Sequence, residues 1–271
     1  MSLFDTHCHL QEPDFEGDVE AVLDRARTAG LTGLALCGYD PQSNVKTLEM
    51  AAESDLLFAA VGYHPHEAKD ITPAQLLELE SLAALPEVVC VGEIGLDFFR
   101  GHSPQDSQRR LFDAQLEIAA RLHKPVSVHT RGAEDASHDH LARYSAARGW
   151  RPGNRAVGVM HCFGGTVEQA RTYIAIGFHI SIACPITYPA NNEARKIALE
   201  LPLESLVVET DSPYLPPQPF RGKRNEPANV RFAVEAIAST RGVPAAVIAE
   251  ATTSNAAQLF GVRVPSGASS W

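Results

Sequence analysis

Residues 88–97 read VVCVGEIGLD, an apolar, β-branched run that ends in carboxylates. Side chains alternate across a strand, so Val89, Val91 and Glu93 share one face. A carboxylate terminating such a run is a poor pattern for packing alone, since a buried charge needs a partner. The arrangement recurs along the chain. FDTHCHL (4–10) puts His7 and His9 on one strand face, with Asp5 behind them and Cys8 opposite. PVSVHTR (125–131) ends at His129, and AVGVMHCF (156–163) aligns Val157, Val159 and His161. SLVVETDSP (205–213) ends with Glu209 and Asp211 on the same face.

Strands are expected at Leu3–His7, Gly33–Cys37, Leu57–Gly62, Val88–Glu93, Pro125–His129, Ala156–His161, Phe178–Ala183 and Leu206–Thr210. Between them lie helical stretches such as FEGDVEAVLDRARTAG (15–30) and QDSQRRLFDAQLEIAARLH (105–123). Gly30, Gly149 and Gly177 close helices, while Thr72 before Pro73 and Ser103 before Pro104 resemble N-caps followed by a first-turn proline. Strands alternating with helices over 271 residues indicate one parallel (β/α)₈ barrel of the TIM type. A doubly wound open sheet also alternates. It would carry a glycine-rich fingerprint after an early strand and polar residues at one switch point, and neither is present. Residues 1–262 are expected to form the barrel domain, and residues 263–271 a flexible tail.

In such a barrel the chemistry sits at the carboxyl ends of the strands. There His7, His9, Glu93, His129, His161 and Asp211 point at one volume, roughly the ligand set of a two-metal centre, whose ions stand about 3.5–4 Å apart. Mixed imidazole and carboxylate donors suit Zn²⁺, Mn²⁺, Fe²⁺ or Ni²⁺. The expected cofactor is a pair of divalent ions, Zn²⁺, Mn²⁺, Ni²⁺ or Mg²⁺. One Zn²⁺ alone lowers the pKa of bound water to about 7, so the implied reaction is hydrolysis of an ester, amide or phosphodiester.

The formal net charge of −10 argues against a nonspecific DNA coat or a membrane-surface protein. Bound cations would reverse the local field for an acidic enzyme acting on a phosphodiester. Five widely spaced cysteines, with no C-x-x-C, form no disulfide framework and suit a reducing compartment. The start of the chain carries charge and histidine where a signal peptide needs an apolar stretch. A cytoplasmic location is expected.

FDTHCHL, GYHPHEA (62–68), VGEIGLDFFR (91–100), QLEIAARLHKPVSVHTRGAEDA (115–136), HCFGG (161–165), VVETDSPYLPPQPFRGKRNEPANV (207–230) and TSNAAQLFG (253–261) together resemble the TatD-type metal-dependent deoxyribonucleases, members of the amidohydrolase-like metal hydrolases. The matches run in order from residue 4 to 261. The resemblance implies a TIM-type barrel, a divalent metal pair and hydrolysis of DNA phosphodiesters, often from a 3′ end. It implies that His7, His9 and Asp211 hold one ion, that His129 and His161 hold the other, and that Glu93 bridges both. Gly164 stands where the family often has serine.

Asp211 has a second expected task, accepting the proton of the attacking water, and Asp211 and Glu93 are the expected catalytic carboxylates. Asp5 and Glu209 share strand faces with ligands one step deeper, and are expected to accept the free N–H of a ligating histidine. His64, His66 and Arg131 are candidates to bind the scissile phosphate or to protonate the leaving oxygen. Arg221, Lys223 and Arg224, in the densest basic stretch of the chain, are candidates for backbone phosphates. The expected partner is DNA, as single-stranded 3′ ends, with no membrane and a monomer favoured. Two rivals remain: an amidohydrolase cleaving a C–N or ester bond, including an ester on tRNA, and a noncatalytic metal- or nucleic-acid-binding protein. Glu93, at a position where many amidohydrolases carry a carboxylated lysine, favours the nuclease.

Overall fold

The computed structural model describes residues 1–264. Eight parallel strands run in chain order around a barrel: β1 (Leu3–Cys8), β2 (Leu31–Cys37), β3 (Leu57–Val61), β4 (Val88–Asp97), β5 (Val126–Arg131), β6 (Gly158–Met160), β7 (Phe178–Ala183) and β8 (Leu206–Glu209). Helices α1 (Val19–Thr28), α2 (Pro41–Glu53), α3 (Pro73–Ala83), α4 (Gln105–Arg121), α5 (Glu134–Ala147), α6 (Val167–Ala175), α7 (Asn192–Glu200) and α8 (Val230–Arg241) alternate with them, and α9 (Ala245–Phe260) follows. The barrel closes where β1 meets the chain just past β8. Asp211 N–H donates to the His7 carbonyl at 2.9 Å, and His9 N–H donates to the Ser212 carbonyl at 2.7 Å.

The expected (β/α)₈ barrel is the observed fold, with differences at element ends. β4 runs on to Asp97, four residues beyond the expected stop. β6 is only Gly158–Met160. Thr72 caps α3 as expected, in a capping box with Gln75. Ser103 does not cap α4, whose N-cap is Pro104. Its hydroxyl donates instead to the His66 carbonyl at 2.7 Å, tying down the loop after β3. The expected tail lies mostly outside the described residues. Among the described residues no single helix is long and apolar enough to cross a membrane.

Inside the barrel the side chains are stacked by chemistry. Phe4, Ala35, Cys37, Ala60, Cys90, Val159 and Val207 form an apolar plug from six strands, closed below by Ala256, Leu259 and Phe260 of α9. Above it lie buried hydroxyls: Thr6 Oγ1 is 3.3 Å from Ser181 Oγ, and Ser127 is 1% exposed. Ser127 and Ser181 reach the next layer, at His7 and Glu209, where the imidazoles and carboxylates stand. A larger apolar shell between strands and helices holds the outer ring in place. Packed apolar layers leave side chains little rotamer freedom, so the groups above them stand on a rigid floor.

Candidate metal centre

Glu93 is the hub. It is 5% exposed, and its two oxygens face different histidines. Oε2 lies 3.5 Å from His7 Nε2 and 3.8 Å from His9 Nε2. Oε1 lies 2.9 Å from His129 Nδ1 and 3.6 Å from both His64 Nε2 and His161 Nε2. Asp211 closes the far side, with Oδ1 3.5 Å from His9 Nε2 and 3.7 Å from His161 Nε2. Strand geometry makes this possible at two unusual backbone points. Asp211 takes φ +57°, which turns its side chain back over the barrel mouth. Gly95 has φ +146°, and a Cβ there would stand 1.9 Å from the His129 carbonyl oxygen, so β4 and β5 approach closely only because residue 95 is glycine.

The rings are held from behind. His7 Nδ1 lies 3.2 Å from Ser127 Oγ, and His9 Nδ1 lies 2.8 Å from the Cys37 carbonyl. His161 Nδ1 lies 2.9 Å from Glu209 Oε1 as an ion-pair contact, and Glu209 is itself held by hydrogen bonds from Ser181 Oγ at 2.6 Å and Cys162 N–H at 2.8 Å. His129 Nε2 lies 3.2 Å from Asp97 Oδ2, which also lies 3.0 Å from His66 Nε2. Such contacts fix which ring nitrogen carries the proton.

Burial and charge work against each other here. Burial opposes ionisation of Glu93, yet the neighbouring imidazoles, His64 and His161 first, hold its carboxyl well below the usual range. Asp211 is lowered in the same way, burial being outweighed by His161 and His9. Burial opposes a charged His161 too, but Glu209, Asp211 and Glu93 raise it to about 10. His9 is raised against burial by Asp211 and Glu93, and His129 by Asp97 and Glu93. His64 has the opposite fate: burial holds its ring well below 6.5. The carboxylates are thus balanced by imidazolium protons, and divalent cations compete for the same seats. Three sets of donors bring one ligand atom each within 4.8 Å: His7, His9 and Asp211; His7, His161 and Glu209; and His64, Glu93 and His129. Nitrogen and carboxylate oxygen donors in this number fit divalent transition metals.

All six residues expected as metal ligands therefore meet in one volume. His64, expected to touch substrate, lies among them with a side chain 12% exposed. His66 stands further out, 28% exposed, against Asp97. Glu209 faces the His161 ring as expected, but Asp5 faces no imidazole. Its oxygens accept from Thr210 N–H at 2.9 Å, Thr210 Oγ1 at 2.5 Å and the His7 backbone N–H at 3.2 Å. β1 shifts register between Asp5 and Cys8, so Asp5 faces β8 and knots the barrel seam. Burial pushes its carboxyl up to about 8.

The basic loop after β8 is only partly free for phosphate. Arg224 lies 2.6 Å from Asp18 Oδ2, and its guanidinium packs over the Phe15 ring at 4.5 Å, so its charge is already paired within the chain. Arg221 stacks over Tyr188 at 4.9 Å, and Lys223 lies 5.9 Å from the Phe220 ring. Arg131 stands over Phe99 at 4.3 Å. Asp97 is not among the residues expected from the sequence, although Glu93, Gly95 and Asp97 share a strand parity that points to one face.

Comparison with known proteins agrees with this geometry. The family model described as TatD related DNase matches residues 4–261. The chain is 37% identical over 259 residues to an uncharacterized metal-dependent hydrolase, YabD, of Bacillus subtilis, covering 95% of this chain and 98% of that one. It is 36% identical over 264 residues to a 3′-5′ ssDNA/RNA exonuclease, TatD, of Rahnella sp., covering 95% and 98%. The crystal structure of YjjV, a TatD homolog from Escherichia coli, superposes with a TM-score of 0.88 at 34% identity, over 96% of this chain and 98% of that one. With its strand-end histidines and carboxylates gathered around Glu93, the chain belongs to the TatD family of metal-dependent hydrolases.

Proposed function

We propose that the protein is a divalent-metal-dependent nuclease that removes nucleotides from the 3′ ends of single-stranded DNA. The observation that carries this reading is the position of Glu93, one oxygen toward His7 and His9 and the other toward His129, His64 and His161. A bridging carboxylate between two groups of imidazoles suits a pair of ions flanking one phosphate. His7, His9 and Asp211 would hold one ion, and His129 and His161 the other, with His64 a further donor beside Glu93. Bound there, the ions supply charge neutralisation for a phosphodiester and acidify water.

The chain's own groups supply the rest. Asp211 is ionised at neutral pH and its side chain is 15% exposed, so it is the carboxylate placed to accept a proton from attacking water. Glu209 and Asp97 keep the His161 and His129 rings oriented. Arg131 and Arg221, both at the mouth, bring positive charge to an acidic protein where a polyanion must enter. The 3′-5′ polarity is supported by the name of the Rahnella relative. The preference for a single strand over intact duplex is supported by the same relative's name.

The test is hydrolysis of end-labelled single- and double-stranded DNA by chelated protein, with Mn²⁺, Zn²⁺, Ni²⁺ or Mg²⁺ added back. Stepwise shortening of the single strand from its 3′ end is expected. Cleavage of ester or amide substrates together with inert DNA would replace the nuclease by the amidohydrolase reading.

A further inference from the structure

Among the described residues, the exposed aromatic side chains are Phe99, 68% exposed, and Tyr214, 50% exposed. Both stand at the mouth of the barrel, just past β4 and β8. Leu77, Leu199 and Val247, also exposed, lie on the outer helices α3, α7 and α9.

Phe99 is held on a fixed turn. Its N–H donates to Asp97 Oδ1 at 2.9 Å, and the Arg100 N–H donates to the same oxygen at 2.7 Å. The other oxygen of Asp97 faces His129. The Phe98 N–H donates to the Arg131 carbonyl at 2.9 Å, which ties this turn to the end of β5. The ring position is thus set relative to the metal centre through one carboxylate and one strand pairing. Arg131, two residues past His129, lays its guanidinium over the ring at 4.3 Å from the centroid. Arg25, Arg121, Arg171 and Arg224 pair with carboxylates, whereas Arg131 makes no ion pair among the described residues. An unneutralised cation stacked on an exposed ring, at the edge of a phosphodiester site, matches what an unpaired nucleotide offers: a π-face for the ring and a phosphate for the cation.

We propose that Phe99, backed by Arg131, is the platform on which the nucleobase beside the scissile phosphate stacks. The inference rests on the nuclease reading and deepens it. A base in a duplex is already stacked and paired, so a platform of this kind selects single strands without selecting sequence.

The test uses the full chain loaded with Mn²⁺ and two single-stranded oligonucleotides, one intact and one with abasic sites at the nucleotides flanking the cleaved bond. Loss of one stacked base corresponds to about 5- to 150-fold. Phe99→Ala is expected to lower kcat/KM on the intact strand by a factor in that range. On the abasic strand the ratio of wild type to Phe99→Ala is expected to fall to about one. Phe99→Trp should restore cleavage of the intact strand, and Leu77→Ala, on the outer face of α3, should leave both substrates unchanged. An equal loss on both strands, or no loss on either, overturns the platform while the nuclease stands. A wild-type protein that cuts neither strand with any divalent metal removes the nuclease reading itself, and the platform with it.

Discussion

Asp97→Asn should loosen the grip on a cation while leaving the fold in place. Asp97 is 1% exposed and divides its two oxygens between two tasks. Oδ1 accepts from the backbone N–H groups of Phe99 and Arg100, and an asparagine oxygen can do the same. Oδ2 faces the Nε2 atoms of His66 and His129, and there asparagine presents a donor instead of an acceptor. His129 then does best with its proton on Nδ1, the nitrogen 2.9 Å from Glu93 and the one that would face a cation. Undoing that tautomer leaves a buried donor unsatisfied, at a cost of about 1–3 kcal/mol, or roughly 5- to 150-fold in affinity. The range brackets the typical 10- to 100-fold loss when the outer partner of a ligating histidine is removed. The assay is calorimetric titration of chelated protein with Mn²⁺ or Zn²⁺ at pH 8.5, where proton competition for the imidazoles is weaker than at neutral pH. Asp97→Ala serves as a third sample. It should share the affinity loss and add a drop in stability, because it abandons the turn as well. An Asp97→Asn variant that binds within twofold of wild type would refute the tautomer reasoning.

Asp211→Asn should keep the backbone, since asparagine tolerates the positive φ of this position, and lower kcat by about 10²–10⁴-fold on oligonucleotides if Asp211 takes the water's proton. Metal affinity should rise with pH below about 9, by up to tenfold per unit for each proton displaced, because His161, raised to about 10, must give up its proton to bind; titration at pH 6, 7 and 8 reads this directly. Burial lowers His179 to about 4, so its contribution to stability is complete above about 6.5 and is lost as the pH falls through that window. Between pH 7 and 4.5 the wild type should therefore lose about 2 kcal/mol more than His179→Gln, measured by urea unfolding. Thr210→Val removes the hydroxyl that donates to Asp5 across the barrel seam, and should cost about 1–3 kcal/mol in the same assay.

The barrel could be read from the sequence because its rule is local. Alternation within each strand and the polar residue at its end are properties of five or six consecutive positions, and VVCVGEIGLD or PVSVHTR carries them without reference to the rest of the chain. The convergence of His7, His9, Glu93, His129, His161 and Asp211 follows once the strands are known to be parallel and closed, since all then end at one rim. What failed was local too, but irregular. The register shift in β1 turned Asp5 toward Thr210, and no alternation rule contains a shift. The expected end of β4 fell at Glu93, and the strand runs four residues further, through a glycine, to Asp97. Gly95 is what allows β4 to lie against the His129 carbonyl and carry Asp97 into the site.

The cations at the mouth show where one-dimensional reasoning stops altogether. RGKRNEP and HTRG both place arginine on loops at the catalytic face, and sequence position treats Arg224 and Arg131 alike. Their surroundings decide otherwise. Asp18, more than two hundred residues away, takes Arg224 into a bidentate pair, with Nη1 at 3.0 Å and Nη2 at 2.6 Å. Arg131 meets a ring supplied by the turn after β4 and keeps its charge uncompensated. Pairing of an exposed charge in water is worth only about 0–1 kcal/mol, so neither arrangement is needed for folding. The difference lies in what remains available to a polyanion. A neutralised arginine offers it little, while an arginine stacked on an exposed aromatic beside Asp97 and His129 offers both charge and a surface. Charge reversal at Arg131 should therefore flatten the salt dependence of oligonucleotide binding, and the same change at Arg224 should act mainly through the stability of its contact with Asp18.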